Sequence, residues 1–290
     1  EPVQIVCGAP NVDAGQYVAV AKVGARLPGN VKIKKAKLRG QLSQGMICSL
    51  QELGIDGKLV PKRYAEGIYV FSEDAAVNPG DDVLTIMALN DRVLELDLTA
   101  NRSDCMHMIG VAYELAALYD RPVKLPKAKV REIKEMAEEH MSVQVDHAQD
   151  TPFYQALVIK NVQVGPSPAW LQNRLMAAGI RPISNVVDVT NYVLLEYGQP
   201  LHAFDFHALG TGEIHVRRAY NDESFTTLDG IERTLSEEQL VITNGKEPVA
   251  LAGVMGGLDS EVTDSTTTIV LEAASFTPAL VRKSSKLMNL

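Results

Sequence analysis

Ile269-Val270-Leu271-Glu272-Ala273-Ala274 is an apolar run of strand length carrying a single carboxylate, bounded by Thr266-Thr267-Thr268 and by Ser275. Short apolar runs between polar punctuation read as buried strands. If this strand is central in its sheet, Glu272 points into a covered face. A buried charge is costly there, so it must be paired, hydrogen-bonded or functional. If the strand lies at an edge, the same carboxylate simply meets water. The residues around it leave both readings open.

Working outward, residues 151–290 read as one α/β domain. Phe153 to Ile159 is a strand. Ser167-Pro168 opens a helix, with Ser167 as cap and proline in the first turn, and Gly179 closes it. A second helix runs from about Asn185 to Tyr197, with Val186, Val189 and Val193 on one face and Gly198 at its end; its β-branched content also allows a strand. Hairpin-like strands follow at Ile214 to Val216, Phe225 to Leu228 with an Asp229-Gly230 turn, and Leu240 to Ile242 with an Asn244-Gly245 turn.

Upstream, residues 1–85 read as a small β domain. Val3 to Gly8 and Tyr17 to Ala21 are strand candidates bounded by Gly, Asn, Pro and Asp. Val31 to Leu38 holds a basic cluster, and alternation puts Lys35, Lys37 and Arg39 on one face of an extended chain. Such a stripe suits phosphate contacts, and it equally suits a solvated edge strand blunted by lysines. The acidic loops Ser72-Glu73-Asp74 and Asn78 to Asp82 mark a boundary. Beyond it, Val93 to Leu98 alternates like a strand, and a helix capped by Ser103 follows, with Ile109, Ala112, Leu115 and Ala116 at helical spacing. Residues 120–150, with Lys127 to Arg131 before Glu132 to Glu139, read as a linker. Residues 86–150 therefore form a small helical connecting domain.

The 290 residues carry 46% hydrophobic and 22% charged side chains, which excludes a disordered or collagen-like chain. No apolar stretch is long enough for a membrane span. Cys7, Cys48 and Cys105 form no Cys-x-x-Cys pair, so neither a disulfide framework nor a metal site is expected and an intracellular, cytoplasmic location is. The net charge of -8 is unevenly spread: residues 1–85 hold 10 basic and 9 acidic side chains, residues 86–150 hold 8 and 12, and residues 151–290 hold 10 and 15. A basic patch for nucleic acid is thus compatible with the acidic total. A chain that opens on Glu1, with no basic-then-apolar start, reads as a fragment without a signal peptide.

Two further candidates join Glu272. His202, in Gly198-Gln199-Pro200-Leu201-His202-Ala203-Phe204-Asp205, follows a stiff Gly-x-Pro turn and could exchange a proton near neutral pH. A structural pairing with Asp205 is the competing reading. Gly256, in Gly253-Val254-Met255-Gly256-Gly257, allows close approach of a ligand to backbone, or simply a tight turn. The lysine that a phosphate-binding Walker loop needs is absent there. No Gly-x-Ser-x-Gly elbow or His-Glu-x-x-His helix is present, and no residue is a convincing covalent nucleophile.

Several segments resemble one family. Val6-Cys7-Gly8-Ala9-Pro10-Asn11, Leu38-Arg39-Gly40-Gln41-Leu42-Ser43-Gln44-Gly45-Met46 and Glu52-Leu53-Gly54 resemble the OB-fold tRNA-binding module of synthetase-associated proteins. Asp97 to Cys105, Gly179 to Tyr192 and Gly198 to Asp205 are similar, in that order, to the phenylalanine–tRNA ligase β-subunit family. The resemblance implies a multidomain α+β chain: a partial OB-fold β-barrel (1–85), a helical connecting domain (86–150) and an α/β editing domain with a mixed or antiparallel sheet (151–290). It also implies hydrolysis of tyrosine wrongly esterified to phenylalanine tRNA, with His202 and Glu272 catalytic and Gly256 lining the pocket. Glu272 corresponds to the group that bonds the tyrosine hydroxyl, and Lys35, Lys37 and Arg39 would meet tRNA. Partners implied are tRNA(Phe) and an α subunit in an α2β2 assembly. No cofactor is expected in this chain; the whole enzyme's ATP and magnesium serve a synthetic site in the α subunit. The family also continues past the region of Lys286 to Leu290 with a segment that completes the pocket. A non-catalytic tRNA-binding or subunit-assembly protein is the alternative.

Overall fold

The computed structural model describes residues 2–72, 75–130 and 133–290. Residues 73–74 of the acidic boundary loop and 131–132 of the mixed-charge connection lie outside them. The described chain is mixed α and β, richer in strands than in helices, and divides into two compact units.

One unit comprises Glu1–Leu96 with Pro166–Ser184. Its strands are short and pair in twos. β1 (Val20–Lys22) joins β6 (Gly45–Ile47), β2 (Arg26–Leu27) joins β3 (Val31–Lys32), and β4 (Ala36–Leu38) joins β5 (Gln41–Ser43), all antiparallel. Ala19, Ala21, Ile33 and Cys48 make one small core, and Leu50, Val60 and Met87 make a second. Val3 to Gly8 forms no strand: it is tied to the β5–β6 junction by Gln44 N donating to Gln4 O and Val6 N to Ser43 Oγ, too few bonds for a ladder. The alternation expected through Arg39 stops at Leu38. Arg39 (φ 48°) and Gly40 (φ 82°) make the two-residue turn between β4 and β5, both in the left-handed region that such a hairpin requires. The helix Ala169–Ala177 belongs to this unit and buries Leu171, Leu175 and Met176. Its cap is Pro168 rather than Ser167, and Asn173 Nδ2 donates to Met87 O at 2.6 Å.

The second unit comprises Asp97–Gly165 and Asn185–Leu290. Five strands, β7 (Ser142–Val145), β10 (Glu213–Arg218), β13 (Leu240–Thr243), β14 (Pro248–Leu251) and β15 (Met255–Gly256), form a sheet in the order β15-β14-β13-β10-β7. β7 pairs parallel to β10 and the other neighbours are antiparallel. β11 (Glu223–Thr226) and β12 (Glu232–Leu235) make a hairpin around Asp229-Gly230. A second sheet has the order β8-β16-β9, with β16 (Thr268–Ser275) between β8 (Phe153–Lys160) and β9 (Leu201–Asp205). Phe204, Val270, Ala156 and Val158 on one face of this sheet share a core with Ile214, Val216, Leu240, Ile242, Val249 and Ala250 of the five-stranded sheet.

Several local expectations change here. Asn185–Tyr197 is a helix, not a strand, but it buries Val186, Asp188 and Thr190 and leaves Val189 exposed. Val93 to Leu98 forms no strand and stays exposed, because alternation supplies a face but not a partner to pair with. Ser142–Val145, within the stretch read as linker, completes the five-stranded sheet. The helix Met108–Tyr119 is capped by His107, whose Nδ1 accepts from Gly110 N at 3.1 Å; Ser103 instead begins a separate 3-10 turn. Gly198 (φ 77°) follows the helix Asn185–Tyr197 and lies against the His107 ring, where a Cβ would come within 2.4 Å of Cδ2. No helix of the described residues is long and apolar enough to cross a membrane.

Candidate functional site

The antiparallel register explains why three distant residues meet. β16 is central, so Glu272 has a strand on each side: Ala156 is its partner on β8 and His202 its partner on β9. Side chains directly opposite one another lie on the same face with Cβ atoms roughly 4.5–5.5 Å apart. The face carrying Glu272 and His202 also carries Phe204 and Val270, and therefore looks into the core. The covered-face reading of Glu272 holds: it is only 6% exposed. Burial pushes its carboxyl up from 4.5 to about 7, with the nearby Tyr154 hydroxyl acting weakly in the other direction.

His202 stands edge-on to the Phe204 ring, 4.5 Å between centroids. Burial pushes its imidazole down from 6.5 to about 4, so it is neutral at pH 7. It does not pair with Asp205, which alternates to the opposite face. Asp205 accepts from His207 N, Ala208 N and Thr266 Oγ1 at 2.8, 3.0 and 2.5 Å, and is structural. The competing reading of a His–Asp pair therefore fails.

Gly256, on β15 at the edge of the other sheet, closes the site. A Cβ placed on it would lie 2.6 Å from His202 Cε1, 2.8 Å from Nε2 and 3.1 Å from Leu228 Cδ1. Its φ is not in the left-handed region, so the requirement is for space beside the imidazole rather than for an unusual backbone. Leu228 N donates to Gly256 O at 3.0 Å and fixes that edge.

A fourth residue of the site was not singled out from the sequence. Tyr154, on β8, pairs with Ala274, one same-face position along from the Glu272–Ala156 pair. Its hydroxyl and Glu272 Oε2 are both buried and make no hydrogen bond of full geometry, yet the hydroxyl lies near enough to the Glu272 carboxyl to act on it as a weak donor. Burial, then the Glu272 carboxylate, push the phenol well above its usual range. The alternation of Tyr154, Ala156 and Val158 is visible in the sequence, but their register against Glu272 is not.

Lys35, Lys37 and Arg39 belong to the other unit and are all exposed: Lys35 precedes β4, Lys37 is its middle residue and Arg39 lies in the turn. Arg26 and Lys32, also exposed, are partners across the β2–β3 pair. Among the described residues one group has metal-ligand spacing, Asp104, Cys105 and Glu114. A guanidinium already occupies it: Arg102 Nη2 lies 2.8 Å from Asp104, 2.5 Å from Glu114 and 2.9 Å from Cys105 Sγ. The cleft of about 550 Å³ lined by Asp146, Asp150, Arg217 and Arg218 is likewise walled by charges paired within the chain, Arg217 with Glu223, Arg218 with Asp150 and His215 with Asp146.

Two family models match the chain, "Putative tRNA binding domain" over residues 1–81 and "B3/4 domain" over residues 150–290. All 290 residues align at 75% identity with the phenylalanine–tRNA ligase beta subunit of Shouchella clausii, and at 63% with that of Halalkalibacterium halodurans. In both cases the chain spans 36% of the relative's length. An N-terminal fragment of the phenylalanyl-tRNA synthetase beta subunit from Pyrococcus horikoshii aligns over 65% of this chain and 57% of its own, with 15% identity and a TM-score of 0.37, too slight a likeness to bear on the fold. With every residue matched at this level of identity, the chain belongs to the phenylalanine–tRNA ligase beta-subunit family, as a stretch that carries a tRNA-binding domain followed by a B3/4 domain.

Proposed function

We propose that this chain serves protein biosynthesis as the proofreading part of a phenylalanine–tRNA ligase β subunit, hydrolysing tyrosine wrongly attached to tRNA(Phe). The observation that carries this reading is the meeting of His202 and Glu272 on one core-facing sheet face, with Gly256 of the other sheet packed against the His202 ring. Glu272 accepts a hydrogen bond from the phenolic hydroxyl of the tyrosyl group. A pocket that is merely apolar rejects an added hydroxyl weakly, whereas a buried acceptor left unpaired disfavours the analogue lacking that hydroxyl. The missing side chain at Gly256 leaves room for the His202 ring, which sets the imidazole at the edge of the site.

In the reaction, a water oxygen bonds to the ester carbonyl carbon and gives up a proton. The bond from that carbon to the tRNA ribose oxygen breaks, and the ribose oxygen takes that proton to become a hydroxyl as tyrosine leaves. A neutral His202 with its basicity reduced by burial is a poor proton sink at pH 7, so its contribution is to orient the water or the tRNA terminus. No covalent intermediate is invoked.

Residues 1–85 would form an OB-like module with Lys35, Lys37 and Arg39 against tRNA phosphates, residues 86–150 a connecting domain, and residues 151–290 the editing domain. The complete enzyme would be a cytoplasmic α2β2 ligase. Its ATP and magnesium would act at the α subunit's synthetic site, leaving no cofactor for this chain. The test is release of tyrosine from tyrosyl-tRNA(Phe) by the full-length subunit in its assembly, with Glu272→Ala and His202→Ala alongside. Release well above buffer, lost in both variants, supports the hydrolase. Release no faster than buffer refutes it and leaves a tRNA-binding or assembly role.

A further inference from the structure

We propose that Tyr154 is a second specificity-determining residue of the site, its hydroxyl donating a hydrogen bond to the phenolic oxygen of the substrate's tyrosyl group while Glu272 accepts a hydrogen bond from that group. The inference rests on the editing reading above. Two buried polar atoms on one sheet face, Tyr154 Oη and Glu272 Oε2, make no hydrogen bond of full geometry, although the hydroxyl lies near enough to the Glu272 carboxyl to act on it as a weak donor. A buried hydroxyl without a partner carries a desolvation cost that a native interior normally avoids. The two residues are diagonal neighbours across β8 and β16, a spacing of roughly 7–8 Å that long side chains span. Tyr154 packs against the Phe276 ring, 6.5 Å between centroids, with its hydroxyl buried. Both groups therefore keep bonding capacity open on the same face, which one further oxygen satisfies.

A phenolic hydroxyl fits that spot because it is one donor and one acceptor on a single oxygen. It gives its hydrogen to a Glu272 carboxyl oxygen and takes one from Tyr154, whose proton burial and the neighbouring Glu272 keep in place. A phenylalanyl group would leave both protein atoms orphaned at once, so two-point reading discriminates more sharply than Glu272 alone.

The experiment compares the full ligase carrying Tyr154→Phe with wild type, measuring kcat and KM for hydrolysis of tyrosyl-, phenylalanyl- and 4-aminophenylalanyl-tRNA(Phe). The aromatic amine donates to Glu272 but is a poor acceptor, so it does not use Tyr154. We expect Tyr154→Phe to lower kcat/KM for the tyrosyl ester by about 3–10-fold, the worth of one neutral hydrogen bond. Hydrolysis of the other two esters should change by less than about 2-fold. Equal losses on all three substrates would make Tyr154 a packing residue, and no loss on the tyrosyl ester would show that it does not touch the hydroxyl; either overturns the proposal. If wild type itself releases no tyrosine, the editing reading falls and this inference with it. A thermal melt of the variant, together with its aminoacylation rate, separates misfolding from lost recognition.

Discussion

Replacing Glu272 with Gln should change how the stability of the second unit depends on pH. In the folded chain burial raises this carboxyl from 4.5 to about 7, whereas unfolding returns it to water. That displacement corresponds to about 3 kcal/mol of preference for the neutral form. Because the folded-state value is the higher one, the folded chain holds more protons than the unfolded chain between pH 4.5 and 7. Stability must therefore fall as pH rises through that window and level off above it. Glutamine has the same shape and cannot ionise. Any cost of seating its amide beside Tyr154 is a constant offset. The stability of Glu272→Gln relative to wild type should thus grow by about 3 kcal/mol from pH 4.5 to pH 7.5. Urea unfolding followed by far-ultraviolet circular dichroism at half-unit pH steps measures this. The single tryptophan, Trp170, belongs to the other unit, so its fluorescence provides an internal control. A difference that stays flat across the range would mean that Glu272 is not desolvated as described, and a difference that shrinks would reverse the sign of the argument.

Other perturbations test neighbouring parts of the site. His202→Asn should show the opposite pH signature: the wild-type imidazole, depressed from 6.5 to about 4, costs stability as pH falls through that window, and the variant should lose about 3 kcal/mol less than wild type between pH 7 and pH 4. Gly256→Ala places a methyl group 2.6 Å from His202 Cε1, so it should destabilise by about 1–3 kcal/mol and slow tyrosine release by displacing the ring; a crystal structure with His202 unmoved would contradict this. Reversing Lys35, Lys37 and Arg39 to Glu should weaken tRNA binding and flatten its dependence on salt, by about one unit of log–log slope for each phosphate no longer neutralised. An unchanged slope would make these side chains a solvated edge.

The limits of reading the sequence are physical. Glu272 stands out because a carboxylate inside an apolar strand has a cost wherever that strand goes, and His202 because a stiff turn precedes it. What places them together is register, and register depends on which strands pair. Alternation alone makes Val93 to Leu98 look like a strand, yet none of the described residues pairs with it. The same rule misses Ser142–Val145, whose polar alternation gives little sign that a parallel edge of the sheet is waiting. Asn185–Tyr197 is legible through its flanking Gly198, but its buried face is not, since Asp188 and Thr190 are turned inward and Val189 outward. Tyr154 is invisible for a further reason: an aromatic residue in a strand is ordinary, and only an unpartnered hydroxyl beside an unpartnered carboxylate makes it unusual.

Parallel deacylation of tyrosyl-tRNA(Phe) and phenylalanyl-tRNA(Phe) by the full ligase, wild type and Glu272→Gln, tests the central claim most directly. A buried carboxylate that reads the phenolic hydroxyl requires wild type to release tyrosine at least about 10-fold faster than phenylalanine, and Glu272→Gln to lose most of that preference, chiefly by slowing tyrosine release. Equal rates on the two esters in wild type, or a preference that survives in Glu272→Gln, would contradict it.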